Sequence, residues 1–461
     1  MEPVTSQGSN KIIWSLVVFP VVGFAVWLSL NIRAFGHHFA HLQPNLELDY
    51  VVGILMWIVF AVGILVAGGD SRRMLLLGWV GKLFVALVAM LFYEQLYDSD
   101  STSYFSFRLT RYHPQADLRD TDLITNILLI FNADPNNENI GSANFMRLFA
   151  LITFWMPPYF HALKVVFAFF GFLGSWYFYR AVVVALGREY LPAFYLLVFS
   201  PSIMFWSSTL GKDPLVFLFI GLYAYGGAIW LVQGRLTAFW LIGTGILGVS
   251  IVRPWVSLMG MAALLAASVV GRRRLWQAAV LALAGAAGFY LYWENISLVF
   301  GDVVLSEFIL QRAEGVAQDT ARSGGSGGEL PDLKGGASLG TALPWIIFTG
   351  LFRPLPFDIT NPLTALAAAE NTAVLCLALV AICRFRLVYF RDALVLWPIL
   401  FCLMWATLYG LIVMANFGTG VRYKLQVWPF LVMVLLLLTH KEGRALLASR
   451  IPGVRRTVEH T

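Results

Sequence analysis

The chain has 461 residues, 59 % of them hydrophobic and only 13 % charged, where a soluble domain carries roughly a quarter charged residues. A soluble protein of this length needs a polar surface that this composition cannot supply, which leaves the membrane as its solvent. The net charge of +6 comes from basic residues dispersed among short segments between apolar runs, so it reads as membrane topology and not as a nucleic-acid surface.

Runs near the ~20 residues that cross a bilayer as helix recur along the whole chain, at roughly 12–31, 50–68, 74–93, 158–183, 190–208, 213–232, 236–252, 255–270, 275–293, 363–384, 393–414 and 423–439. The short alternating segments of a β-barrel are absent, so the expected class is all-α, a polytopic integral membrane protein of about twelve transmembrane helices. The nearly continuous apolar stretch 236–270 would reach about 52 Å as one helix, too long for a hydrocarbon core near 30 Å. Arg253-Pro254 in its middle supplies the break. No small-residue cleavage site follows the first run, so that run is expected to remain as a span. Cys376, Cys383 and Cys402 fall in apolar segments, without disulfide or zinc spacing.

Five segments follow from this pattern. They are N-terminal transmembrane helices (1–93), an outer acidic loop with amphipathic structure (94–157), a transmembrane bundle (158–293), an outer flexible loop (294–362), and C-terminal transmembrane helices with a cytoplasmic tail (363–461). Arg72 and Arg73, Arg188, Arg272 to Arg274, and Arg384, Arg386 and Arg391 lie in alternate loops, which the positive-inside rule makes cytoplasmic. Both termini are then inside. The inner side carries 18 Lys/Arg and 6 Asp/Glu and the outer side 14 and 20, together the 32 and 26 of the chain.

Irregular sequence gathers outside. In the first large outer loop, Asp117–Phe131 mixes leucine and isoleucine with charge, as an interfacial amphipathic helix does. In the second, Ser323 to Gly328 is a glycine–serine run, flexible by composition. His37, His38 and His41 cluster in the first short outer loop and suit a metal or, with no carboxylate pattern nearby, the favoured reading of a solvated loop.

The strongest chemical feature is Tyr97-Asp98-Ser99-Asp100-Ser101-Thr102-Ser103-Tyr104. Its two carboxylates and following tyrosine suit either a general base or a hard cation, Mg²⁺ or Mn²⁺, held by Asp98 and Asp100; a solvated Asp/Ser loop is the plain alternative. In Phe205-Trp206-Ser207-Ser208-Thr209-Leu210-Gly211-Lys212-Asp213-Pro214, Asp213-Pro214 reads as a helix start. Lys212 beside that N-terminus and its hydroxyl neighbours suits a phosphate, or else snorkels to the interface. Arg253, Arg353, and Arg422 with Lys424 stand at other outer helix ends. Each suits an interfacial anchor, or together a site for a lipid phosphate. Glu370 lies eight residues into its span, a depth that marks either a functional residue or a pairing between helices. Apart from it, the spans read as nearly free of deep charge.

Together these residues resemble the GT-C class of membrane glycosyltransferases, which take sugars from polyprenyl-phosphate carriers. Asp100 and Tyr104, four apart, match the acid and tyrosine of that family's first large outer loop, with Asp98 a second acid. The Lys212-Asp213-Pro214 turn, Arg253-Pro254, and Arg422-Tyr423-Lys424 before Pro429 are also similar, over roughly residues 90 to 435. The acidic loop follows the third span here, where the family has it after the first helix, and no soluble C-terminal domain is expected. The resemblance implies a GT-C-like fold and transfer of a sugar from a polyprenyl-phosphate-linked donor to a glycan, lipid or protein acceptor on the outer face of a bacterial inner or plasma membrane. Asp100 would be the base, with Asp98 beside it, and Lys212, Arg253, Arg353, Arg422, Lys424, Tyr104 and Glu370 would line the donor site. The Lys212, Arg353 and Glu370 segments also resemble polysaccharide-export proteins. That leaves open a polymerase or ligase using a lipid-pyrophosphate-linked oligosaccharide, and, with less in its favour, a lipid or glycan transporter.

Overall fold

The computed structural model describes residues 19–97 apart from 36–38, 40–41 and 44; residues 100–111; 140–159 apart from 155, 157 and 158; 160–270; part of 276–286; 305–323; 326–328; 330; and 336–450. Asp98, His37, His38, His41 and the stretch 117–131 lie outside the described residues. Every regular element described is helical. Among the described residues six helices are long and apolar enough to cross a membrane, and a seventh span results if the bent pair Phe417–Gln426 and Trp428–Thr439 counts as one. Leu55, Val59, Val62 and Val66 form one exposed apolar stripe on the helix Leu46–Ala67, as Leu366, Leu379 and Ile382 are exposed on Pro362–Arg384. Surfaces of this kind face lipid, and the chain is an all-α membrane protein.

The described residues divide into two compact units. The first comprises residues 1–127, 145–173 and 203–215, the second 128–144, 174–202 and 216–461. In the first unit the chain builds α1 (Phe19–Leu30), α2 (Leu46–Ala67) and α3 (Arg72–Phe84), which runs through a π-helical turn at Val85–Ala89 into α4 (Met90–Leu96). The start of α2 is fixed by Asn45, whose side chain accepts from the Leu48 backbone N–H at 3.0 Å, a strong N-cap. Two tryptophans lock α2 to α3. The Trp57 indole donates to the Trp79 carbonyl and the Trp79 indole to the Trp57 carbonyl, both at 3.0 Å, with the rings stacked at 6.2 Å. α5 (Asp100–Arg111) follows, then α6 (Ile140–Phe154), whose residues from Phe145 belong to this unit, and α7 (Phe160–Leu186), which contributes its residues up to Leu173.

Between α7 and the next long helix, one span was expected over 190–208. The structure has two shorter pieces, α8 (Leu191–Phe199) and α9 (Pro201–Trp206). Pro201 has no N–H to continue the helix and pushes Ser200 into an extended conformation, ψ 124°. α10 (Lys212–Gln233) then starts with Asp213 and Pro214 in its first turn. α11 (Ala238–Val252) and α12 (Pro254–Val270) are divided at Arg253-Pro254 as expected.

The second unit is completed by α13 (Leu305–Ser323), α14 (Gly336–Phe352), α15 (Pro362–Arg384), α16 (Ala393–Ala415), α17 (Phe417–Tyr423), α18 (Trp428–Thr439) and α19 (Lys441–Arg450). Segment 294–362, read as a flexible loop, thus contains two helices. Between them Ser326–Gly328 is hydrogen-bonded, with Gly328 N–H donating to Met414 O at 2.7 Å and Phe417 N–H to Ser326 O at 2.8 Å. Close approach in this unit uses small residues, as packing in lipid does; a Cβ on Gly410 would stand 2.3 Å from the Ile346 carbonyl oxygen of α14. Indole donors again set the contacts. Trp397 donates to the Tyr223 hydroxyl at 2.6 Å, and that hydroxyl donates to Gly260 O, tying α16, α10 and α12 together.

Gly410→Ala should therefore lower stability by about 1–3 kcal/mol, the usual range for overpacking. Gly340→Ala on the exposed side of α14, where a Cβ meets nothing within 4 Å, should be neutral or stabilise by up to about 1 kcal/mol. Thermal unfolding of the two variants in one detergent checks the contrast.

Candidate functional site

Asp100 is the first residue of α5 and is exposed. Tyr104 lies one turn further on the same face. Its ring meets two other segments: Phe145 of α6 at 4.8 Å, and the Lys212 ammonium, 5.6 Å from the ring centroid. Gly211 lies against the same ring, where a Cβ would be in ordinary contact at 3.7 Å. Two motifs more than a hundred residues apart in sequence are thus brought together in the first unit, with the acid exposed and the lysine half-buried.

The turn carrying Lys212 is held from below. Ser207 and Ser208 are fully buried and accept from the ammonium of Lys82, which also donates to the Met204 carbonyl at 3.3 Å; the Ser208 bond is 3.1 Å. A Cβ on Gly171 of α7 would clash with the Ser207 backbone at 2.0 Å. Lys82 is about 18 Å along its helix from Glu94, and Gly171 about 16 Å from the start of α7. Ser207 is therefore packed well along α3 and α7, and the turn runs from there to Lys212 beside the Tyr104 ring.

The remaining cations fall in the second unit. Arg353 makes a bidentate pair with Asp358, one bond Nε to Oδ2 at 3.0 Å, and packs on the rings of Phe417, Trp345 and Phe357. The Lys424 ammonium donates to the Arg353 carbonyl and, at 3.4 Å, to Asn371 Oδ1; the Asn371 amide donates to Pro354 O at 3.0 Å. Arg253 closes α11 with its guanidinium 4.2 Å from the Tyr423 ring, between half-buried Arg422 and buried Lys424. Arg353, Lys424, Arg253 and the Arg422 segment are therefore neighbours around the α16–α17 junction. Glu370 accepts from the Ser200 hydroxyl and the Ser202 backbone N–H, the latter at 3.0 Å. It fills the gap that Pro201 opens in the backbone ladder, a helix-to-helix pairing.

Sequence reading left the interior nearly without charge, and the structure corrects that. In the first unit Asp49, Glu94, His161 and Lys164 are all buried. Asp49 accepts from His161 Nδ1 at 2.6 Å and from the His161 backbone N–H at 2.9 Å, and Glu94 pairs with Lys164. Single charged residues barely change the hydropathy of a twenty-residue window, so only their isolation in apolar runs could have flagged them. Among the described residues no group of three or more His, Cys, Asp or Glu is placed to hold a metal ion. Of the two carboxylates expected to hold a cation, only Asp100 is among the described residues.

Comparison with protein-family models, with curated proteins and with solved structures gives no match.

Removing one partner of a buried ion pair strands the other, at a cost of about 3–5 kcal/mol. Glu94→Gln should lower unfolding stability by that amount in detergent, and the double variant Glu94→Gln/Lys164→Met should recover most of it. An additive double variant would show that the two side chains do not depend on one another.

Proposed function

We propose that the protein is a membrane glycosyltransferase of the GT-C type, with twelve spans, both termini cytoplasmic and its active site on the outer face of a bacterial inner or plasma membrane. It moves a sugar from a polyprenyl-phosphate carrier to a glycan, lipid or protein acceptor. The observation that carries this reading is the contact between Lys212 and Tyr104, one turn from Asp100. It brings a half-buried cation against the helix whose first residue is the exposed Asp100.

The chemistry of this reading uses those positions. The acceptor hydroxyl oxygen attacks the anomeric carbon while the Asp100 carboxylate takes its proton. The bond between that carbon and the carrier phosphate oxygen breaks, and the phosphate leaves with the electron pair. Lys212 stabilises the charge that develops on the phosphate, where a preorganised cation acts most strongly. Arg253, Arg353, Arg422 and Lys424 are the remaining cations of this reading and all lie in the second unit. Their gathering around the α16–α17 junction equally favours a second one, a polymerase or ligase holding a lipid-linked pyrophosphate. Arg353 already has a carboxylate partner in Asp358, which weighs toward the transferase.

Asp100→Asn keeps the size of the side chain and removes the base. Turnover of labelled sugar from a polyprenyl-phosphate donor by purified protein in lipid should fall about 10²–10⁴-fold, with the unfolding temperature unchanged. Full activity in a folded Asp100→Asn variant would transfer the weight to the arginine-based polymerase.

The orientation is tested separately, in a cysteine-free background. Cysteine at the exposed Ser103 should react with a membrane-impermeant thiol reagent in intact cells, and cysteine at the exposed Thr237 only after permeabilisation. The reverse pattern would invert the topology and remove the outer-face site.

A further inference from the structure

Lys82 stands in the middle of an apolar helix, is 0 % exposed and makes three hydrogen bonds, to Ser207 Oγ, Ser208 Oγ and Met204 O. None of these acceptors is charged. Elsewhere in the same unit the fold treats a buried lysine differently, giving Lys164 the carboxylate of Glu94. A buried ammonium without a counter-ion is costly, and hydrogen bonds to neutral oxygens offset only part of that cost. Apolar residues of similar volume would fill the same space without it. The charge is nevertheless set against the two serines that begin the turn ending in Lys212, and the serine hydroxyls in turn donate to Ile203 O and to Met204 O. The ammonium therefore also sits at the C-terminal end of α9, where it donates directly to the Met204 carbonyl.

We propose that Lys82 is a positioning residue for the binding of a lipid-borne phosphate at the Lys212 turn. It pins Ser207 and Ser208, which fixes where Lys212 meets Tyr104, and it supplies a buried positive charge that is compensated when the phosphate arrives. The two effects are linked. An anion bound at the turn lowers the cost of burying the Lys82 ammonium, and the ammonium raises the affinity for the anion by the same factor. Because Lys82 is shielded from solvent, its contribution is screened by salt far less than that of half-buried Lys212. The inference rests on the donor class proposed above and names the residue that tunes affinity for its phosphate.

The test compares polyprenyl phosphate with polyprenol, the same chain without the anion, binding to purified protein in phosphatidylcholine nanodiscs. Wild type should prefer the phosphate. Lys82→Met should lose at least ten-fold of that preference with the polyprenol affinity unchanged, and the loss should persist in high salt. Ser208→Ala, which removes one of the three acceptors and keeps the charge, should lose less and should be non-additive with Lys82→Met. Unfolding temperatures establish that each variant is folded. An equal loss for both ligands, or none, overturns the proposal by making Lys82 a purely structural residue. Phosphatidylglycerol in the nanodisc erasing the phosphate preference would assign the site to ordinary headgroups and overturn it too. If wild type shows no preference at all, the polyprenyl-phosphate donor falls with it; if wild type shows one that Lys82→Met retains, only the role of Lys82 falls.

Discussion

The buried pairs Asp49–His161 and Glu94–Lys164 decide how the helices of the first unit meet. Apolar helices in lipid have little hydrophobic reason to choose one neighbour over another, since the acyl chains are as apolar as leucine. A carboxylate in that environment has no such freedom. It must find a donor, and it finds one only at a particular rotation and height of the facing helix. Asp49 at the start of α2 takes both the ring and the backbone N–H of His161, so it fixes the beginning of α7 in position as well as in angle. Lys164 lies one turn further along α7, its ammonium 4.6 Å from the Phe160 ring centroid and 5.4 Å from that of Phe39. With the end of α4 and the start of α7 so fixed, the turn from Ser207 to Lys212 has a defined surface to rest on.

The second unit relies on neutral donors instead. Tryptophan indoles bridge to a tyrosine hydroxyl or an amide oxygen, as Trp397 does to Tyr223, Trp255 to Tyr409 and Trp405 to Gln426. Glycines admit backbones to close range. Several cations of this unit stand where helices break, at Arg253-Pro254, at Arg353-Pro354 and in the segment after Asn416. Backbone groups released by a break need partners, and long cationic side chains supply them, as Lys424 does for the Arg353 carbonyl.

Much of this was legible in the sequence. Helix class, the positions of the six or seven long apolar helices among the described residues and the Arg253-Pro254 break follow from apolar run length and from proline chemistry, both of which are local. The pairing of the Asp100–Tyr104 segment with the Lys212 turn could be suspected from motif likeness but not placed, because nothing local encodes a contact over such a separation. α14 escaped notice because Gly336, Gly340 and Pro344 interrupt its apolar run, leaving too short a stretch to read as a span; its helicity comes from packing against α16. Lys82 escaped for the opposite reason. Its surroundings are so apolar that averaging conceals one charge, and its three acceptors come from a turn 120 or more residues away.

The π-helical turn at Val85–Ala89 has a consequence for angle. In an unbroken α-helix, Lys82 and Glu94 are twelve residues apart and would point about 120° from one another around the axis. A π-turn is equivalent to one inserted residue, and it rotates everything beyond it by about 100°. The two buried side chains are thereby brought to within about 20° of a common face, one serving α9 and the other α7. The five residues of the turn have no polar side chain among them, yet they act as the phase adjuster of the helix. Shortening them by one would swing Glu94 away from Lys164 while leaving Lys82 where it is.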